Sequence, residues 1–165
     1  MKALVAGVGN IFMGDDGFGC EVARRLSGLD LPQGVDVVDF GIRGMDLGYA
    51  LTDGYDLAVL VDTMDSGGAP GSVSVIEPEI EAQSDDGGCE VDAHSMDPAQ
   101  VLRLVASLRE RRPRLLMVIC VPEYLGGDEG HLGLSDCAEA AVETAVSEVR
   151  TILDEWQRFR RFTKG

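Results

Sequence analysis

The run from Ala3 to Val8 is apolar or small throughout and ends in Gly7-Val8-Gly9, which reads as a buried strand entering a glycine-rich loop. From Gly17 to Ser27 the apolar residues Phe18, Val22, Ala23 and Leu26 fall on one helical face. Val35 to Phe40 reads as a second strand after the turn Pro32-Gln33-Gly34, and Met45 to Leu51 as a short helix. Leu57 to Val61 is a third, fully apolar strand that ends in Asp62. The turn Gly67-Gly68-Ala69-Pro70-Gly71 precedes an alternating stretch, Ser72 to Ile76, expected as a fourth strand at a sheet edge. Pro78 to Asp92 is acidic and poor in hydrophobic residues, and reads as a mobile loop. Asp97-Pro98 starts a helix to about Arg111, with Asp as cap and Pro in the first turn. Leu115 to Val121 is a fifth strand, Gly126 to Gly133 another loop, and Ser135 caps a long final helix to about Arg160. Strands alternating with helices predict an α/β three-layer sandwich: a mostly parallel, five-stranded twisted sheet with helices on both faces. Residues 1–165 make a single domain, with no internal repeat and no linker.

Charge narrows the partners. The formal net charge is −15 and the pI near 4.3, so the chain repels phosphate backbones and anionic membrane surfaces. Neither nucleic acid nor a membrane is an expected partner. Hydrophobic residues make up 45%, an ordinary globular share that excludes a disordered acidic protein. Cys20, Cys89, Cys120 and Cys137 are widely spread and form no Cys-x-x-Cys pair, which suggests free thiols rather than a disulfide framework or a zinc site. Met1-Lys2 leads directly into a strand with no apolar leader, and no apolar run reaches the ~18 residues of a membrane helix. A cytoplasmic location is expected.

In open parallel sheets, ligands bind beyond the carboxyl ends of the strands. There the first strand presents Asp15 and Asp16, the third presents Asp62, and the loop after the fourth carries His94. If the first and third strands are neighbours, Asp16 and Asp62 reach the same edge and His94 can close the group. Two carboxylates and an imidazole suit a borderline divalent metal such as nickel or zinc. Each has a plainer reading: Asp15 as a helix cap, Asp62 as a strand-end acid bonded to local amides, Asp65 as a turn residue, His94 as a cap or a solvated side chain, and His131 as a structural loop residue.

Two rival chemistries fit less well. Gly7-x-Gly9 after a strand opens like a dinucleotide fingerprint, but the third glycine position holds Phe12, and two acids follow where a pyrophosphate would sit. Asp39, at the end of the second strand, is the remaining feature in favour. A Cys–His nucleophile would need Cys20 or Cys89 with His94. Cys20 lies among apolar residues on the first helix, and Cys89 lies in an acidic loop that raises a thiol's pKa.

Gly7-x-Gly9-Asn10 followed by Asp15-Asp16-Gly17-x-Gly19 resembles the opening motif of hydrogenase maturation endopeptidases. Four further blocks follow in order: Asp39-x-Gly41-x-x-Gly44-Met45-Asp46-Leu47; Asp62 with Ala69-Pro70-Gly71; His94 ahead of Val101-Leu102; and Val121-Pro122-Glu123 with Gly133-Leu134-Ser135. The resemblance covers nearly the whole chain. It implies an endopeptidase that removes the C-terminal extension of the nickel–iron hydrogenase large-subunit precursor after nickel insertion. By motif position the metal-binding and catalytic residues are Asp16, Asp62 and His94. Some members carry Glu at the first of these places; Asp16 is one methylene shorter. Nickel is then supplied by the precursor, and zinc or cadmium is the expected stand-in in a crystal. Gly41, Arg43 and Gly44 form a candidate substrate-recognition loop, and a monomer is the default state. The alternative from another class is a non-catalytic nickel-site-binding protein or metallochaperone of the same fold; a nucleotide-binding α/β domain is third.

Overall fold

A computed structural model describes residues 1–79 and 112–163. The expected helix from Asp97, most of the acidic loop before it, Cys89 and His94 lie outside the described residues. In chain order the elements are β1 (Ala3–Val8), a 3-10 turn (Gly14–Gly17), α1 (Phe18–Ser27), β2 (Val35–Gly41), α2 (Gly44–Thr52), β3 (Leu57–Thr63), β4 (Val73–Ile76), β5 (Arg114–Cys120) and α3 (Asp136–Thr163). Each element expected within these residues forms, with its ends shifted by a residue or a few. No helix among the described residues is long and apolar enough to cross a membrane.

The strands pair in the order β2-β1-β3-β5-β4. All pairs are parallel except β4–β5, where Val73 lies opposite Cys120. β1 and β3 are buried along their whole length, which explains their uninterrupted apolar sequence. On one face Phe18, Val22 and Leu26 of α1 and Val142, Val149 and Leu153 of α3 pack on Val5, Val59 and Val118. On the other, Leu47 and Leu51 of α2 pack with Phe40 and Tyr55 on Leu4, Leu60 and Met117. Each large side chain so buried contributes roughly 1.5–3 kcal/mol.

Two details position the site. The chain runs from β1 outward to β2 and returns to β3 on β1's other side, so the direction of winding reverses between β1 and β3. A crevice opens beyond the carboxyl ends of strands at such a reversal. α1 also sits close on this seam: a Cβ at Gly19 would lie 2.1 Å from the Val61 carbonyl oxygen and 2.4 Å from that of Val8. The close approach that a dinucleotide motif assigns to its third glycine is thus made seven residues further along, while Phe12 is exposed.

Candidate functional site

The loop after β1 turns at Asn10. Its side-chain oxygen accepts from the Phe12 N–H at 3.0 Å, and its own N–H donates to Asp16 Oδ2 at 2.8 Å. Asp16 lies in the 3-10 turn that enters α1, and the Thr63 hydroxyl at the end of β3 approaches its Oδ1 at 3.4 Å. This contact ties the first loop to the third strand across the seam. Burial pushes the Asp16 carboxyl above the usual carboxylate range, against the lowering effects of the Asn10 N–H and the Thr63 hydroxyl.

Asp62 precedes Thr63 and is buried at 3% exposure. Its Oδ1 accepts the Thr63 N–H at 2.7 Å. Leu57, Val59 and Val61 face α1 and α3, whereas Ala58 and Leu60 face the α2 side. The same alternation puts Thr63 on the α1 face and Asp62 on the other. The two acids therefore reach the carboxyl edge from opposite sides of the sheet. His94, the third candidate, lies outside the described residues, and among the described residues no three His, Cys, Asp or Glu side chains converge to hold a metal.

Asp15 differs from the helix cap considered for it. Neither the 3-10 turn nor α1 has a side-chain cap. The Asp15 carboxylate instead points into the protein and accepts from the N–H groups of Glu123 (2.8 Å), Tyr124 (3.1 Å) and Ser135 (2.6 Å) and from the Ser135 hydroxyl (2.8 Å). Burial raises its pKa, but these donors outweigh it and hold the carboxyl below the usual range. Backbone bonds reinforce the join: Asp15 N–H to Tyr124 O, Gly14 N–H to His131 O, and His131 N–H to Phe12 O. His131 also packs edge-on against Tyr124 at 5.4 Å, a structural role as expected. Asp65 accepts the Gly67 N–H, as a turn residue does.

The loop after β2 flanks the same edge. Gly9 N–H donates to Gly41 O at 3.0 Å, and the Asp39 carboxylate accepts the Gly41 N–H at 2.9 Å. Arg43 folds back on its own loop, donating to the Phe40 carbonyl at 3.1 Å and to the Asp39 carbonyl, with Asp46 nearby. Gly44 opens α2 and is buried. The rival nucleophile Cys20 is buried, and its thiol is pushed up to about 12, chiefly by burial and then by the Asp39, Asp16 and Asp62 carboxylates. It stays protonated and is a poor nucleophile. Asn10, known from the sequence only as part of the opening motif, and Thr63, to which the sequence assigns no role, both position Asp16. An alcohol immediately after the strand-end acid was the available signal for Thr63.

A family model for hydrogenase maturation proteases matches residues 20–152. The chain belongs to the hydrogenase maturation protease family. It is 29% identical over 157 residues to the hydrogenase 2 maturation protease of Escherichia coli, covering 94% of this chain and 92% of that protein. Its fold is similar to that of the E. coli hydrogenase-maturating endopeptidase HybD, with a TM-score of 0.76 at 29% identity over 94% of this chain and 93% of that one. A hydrogenase 2 maturation peptidase from a Thaumarchaeota archaeon is similar with a TM-score of 0.67 at 30% identity, covering 93% and 99%. The protein is a hydrolase of the endopeptidase class, and its α/β sheet is the architecture of that family.

Proposed function

We propose that this endopeptidase removes the C-terminal extension of a nickel–iron hydrogenase large-subunit precursor after nickel insertion. In this reading Asp16, Asp62 and His94 complete the coordination of a nickel ion that the precursor already carries, so the metal belongs to the substrate. The observation that supports it best is Asp16: a half-buried carboxylate, costly to ionise, at the mouth of the β1–β3 crevice and in contact with Thr63, the residue of β3 that follows the buried Asp62. A divalent cation offsets that cost, and oxygen and imidazole donors suit nickel. Nickel beside the scissile bond supplies Lewis acidity, and a carboxylate beside an attacking water supplies a general base. Neither route needs a serine or cysteine nucleophile, in keeping with the protonated Cys20.

The dependence on nickel makes processing a checkpoint, because a precursor without its metal lacks the group these residues bind. Nickel-loaded precursor is incubated with wild type and with Asp16→Ala, Asp62→Ala and His94→Ala, and loss of the tail is followed on a gel. Each variant is expected to slow processing by roughly a hundredfold or more. Wild-type rates for all three would refute the ligand assignment.

A further inference from the structure

Between the loops after β1 and β2 lies an open cleft of about 330 Å³, lined by Ile11, Phe12, Cys20, Phe40 and Ile42 beside Gly9, Asn10 and the Asp39–Arg43 turn. The size lies at the small end of ligand sites, room for a side chain or two rather than a dinucleotide. Three of its apolar walls face solvent: Ile11 is 50% exposed, Phe12 60% and Ile42 40%.

Its polar groups are tied to the loops that form it, and the exposed Asp39 carboxylate gives it one anionic edge. Asn10 is held by the Phe12 N–H and by Asp16, Asp39 accepts from Gly41, and the Arg43 guanidinium is spent on the Phe40 and Asp39 carbonyls. The Cys20 thiol leans on the Gly9 carbonyl at 3.5 Å. With its thiol pushed up to about 12, the floor carries no thiolate charge. The cleft is also continuous with the candidate catalytic edge, since Asn10 lines it and donates to Asp16.

We infer that this cleft is a specificity subsite that takes one apolar side chain of the precursor, close in sequence to the bond that is cut. The inference rests on the proposed placement of hydrolysis at Asp16. An endopeptidase must hold the peptide flanking the scissile bond, and a concave apolar wall next to the reacting edge is where a flanking side chain is received. An acidic side chain would lose its hydration there and face the Asp39 carboxylate. Binding energy from such a side chain is drawn on to orient the bond at the edge.

The test is a charge exchange. Ile42→Lys and Ile11→Lys each place an ammonium at the cleft mouth, at exposed positions that tolerate it, and thermal unfolding checks that each variant folds. The cleaved bond is located by mass spectrometry of the released tail. Each apolar residue within three positions of it is then changed to Asp in nickel-loaded precursor. Both lysine variants are expected to lose at least tenfold in kcat/KM on unmodified precursor. One Asp-bearing precursor is expected to be cut slowly by wild type and to recover at least fivefold with a lysine variant. Processing of unmodified precursor within twofold of wild type by folded lysine variants would overturn the subsite. So would a loss that no Asp-bearing precursor restores. Asp16→Ala and Asp62→Ala run in parallel: wild-type rates there would sink the carboxylate reading while leaving the charge exchange readable on its own.

Discussion

Asp15 carries four donors on its carboxylate, and Asp16 is met by one N–H and one hydroxyl. Neighbours in sequence, they are pushed in opposite directions. For Asp15 the folded pKa is depressed, so its stabilisation is fully present above the unfolded value of about 3.9 and is lost as pH falls through the lower folded value. Asp15→Ala leaves three part-buried N–H groups without their acceptor, and urea unfolding at neutral pH is expected to show a loss of about 1–3 kcal/mol. For Asp16 the folded pKa is raised, so its contribution is greatest below the unfolded value and is lost as pH rises through the folded one. The ionised carboxylate is then a net cost at neutral pH. Asp16→Asn keeps an acceptor for the Asn10 N–H, and its amide N–H donates to the Thr63 oxygen where the carboxylate accepted from the Thr63 hydroxyl. It is expected to leave the unfolding midpoint unchanged or raise it while processing is lost, and a drop in both would contradict this separation. Wild-type processing is expected to decline on acidification at a higher pH than an ordinary exposed aspartate would dictate.

At the scale of elements, the site depends on how closely α1 rides on β1 and β3. A methyl at Gly19 meets two strand carbonyls, and the helix must lift to relieve it. Gly19→Ala is expected to cost about 1–3 kcal/mol by denaturant unfolding. It is also expected to slow processing at temperatures where the variant remains fully folded, because lifting α1 pulls Asp16 away from Thr63. Unchanged processing by the folded variant would show that this contact is dispensable. Periodicity revealed the elements well, since uninterrupted apolar runs mark β1 and β3, and the helical face of Phe18, Val22 and Leu26 marks α1. It did not reveal the role of Asp15, whose partners lie more than a hundred residues away in the Glu123 and Ser135 loops. Side-chain to backbone contacts over that separation leave no local pattern. Nor does the sequence show that the Arg43 guanidinium is held by carbonyls of its own turn, contacts that depend on how the Asp39–Arg43 backbone folds back.

For the whole molecule, chain order and sheet order together put the loops after β1 and β3 at one reversal of winding, and that much followed from the sequence once the two strands were taken as neighbours. The Glu123–Gly133 loop, joined to the first loop through Asp15 and His131, adds exposed Tyr124, Leu125 and Leu132 on the Phe12 side of the edge. If Asp16, Asp62 and His94 read a metal held by the substrate, as proposed above, the rate of tail removal must depend on that metal. The most direct measurement is tail removal by the wild-type enzyme from matched precursor preparations with and without nickel, followed over time by mass spectrometry. Cleavage of the nickel-loaded form with little or none of the nickel-free form is expected. Equal rates on the two forms would contradict the claim that Asp16, Asp62 and His94 act on the substrate's nickel.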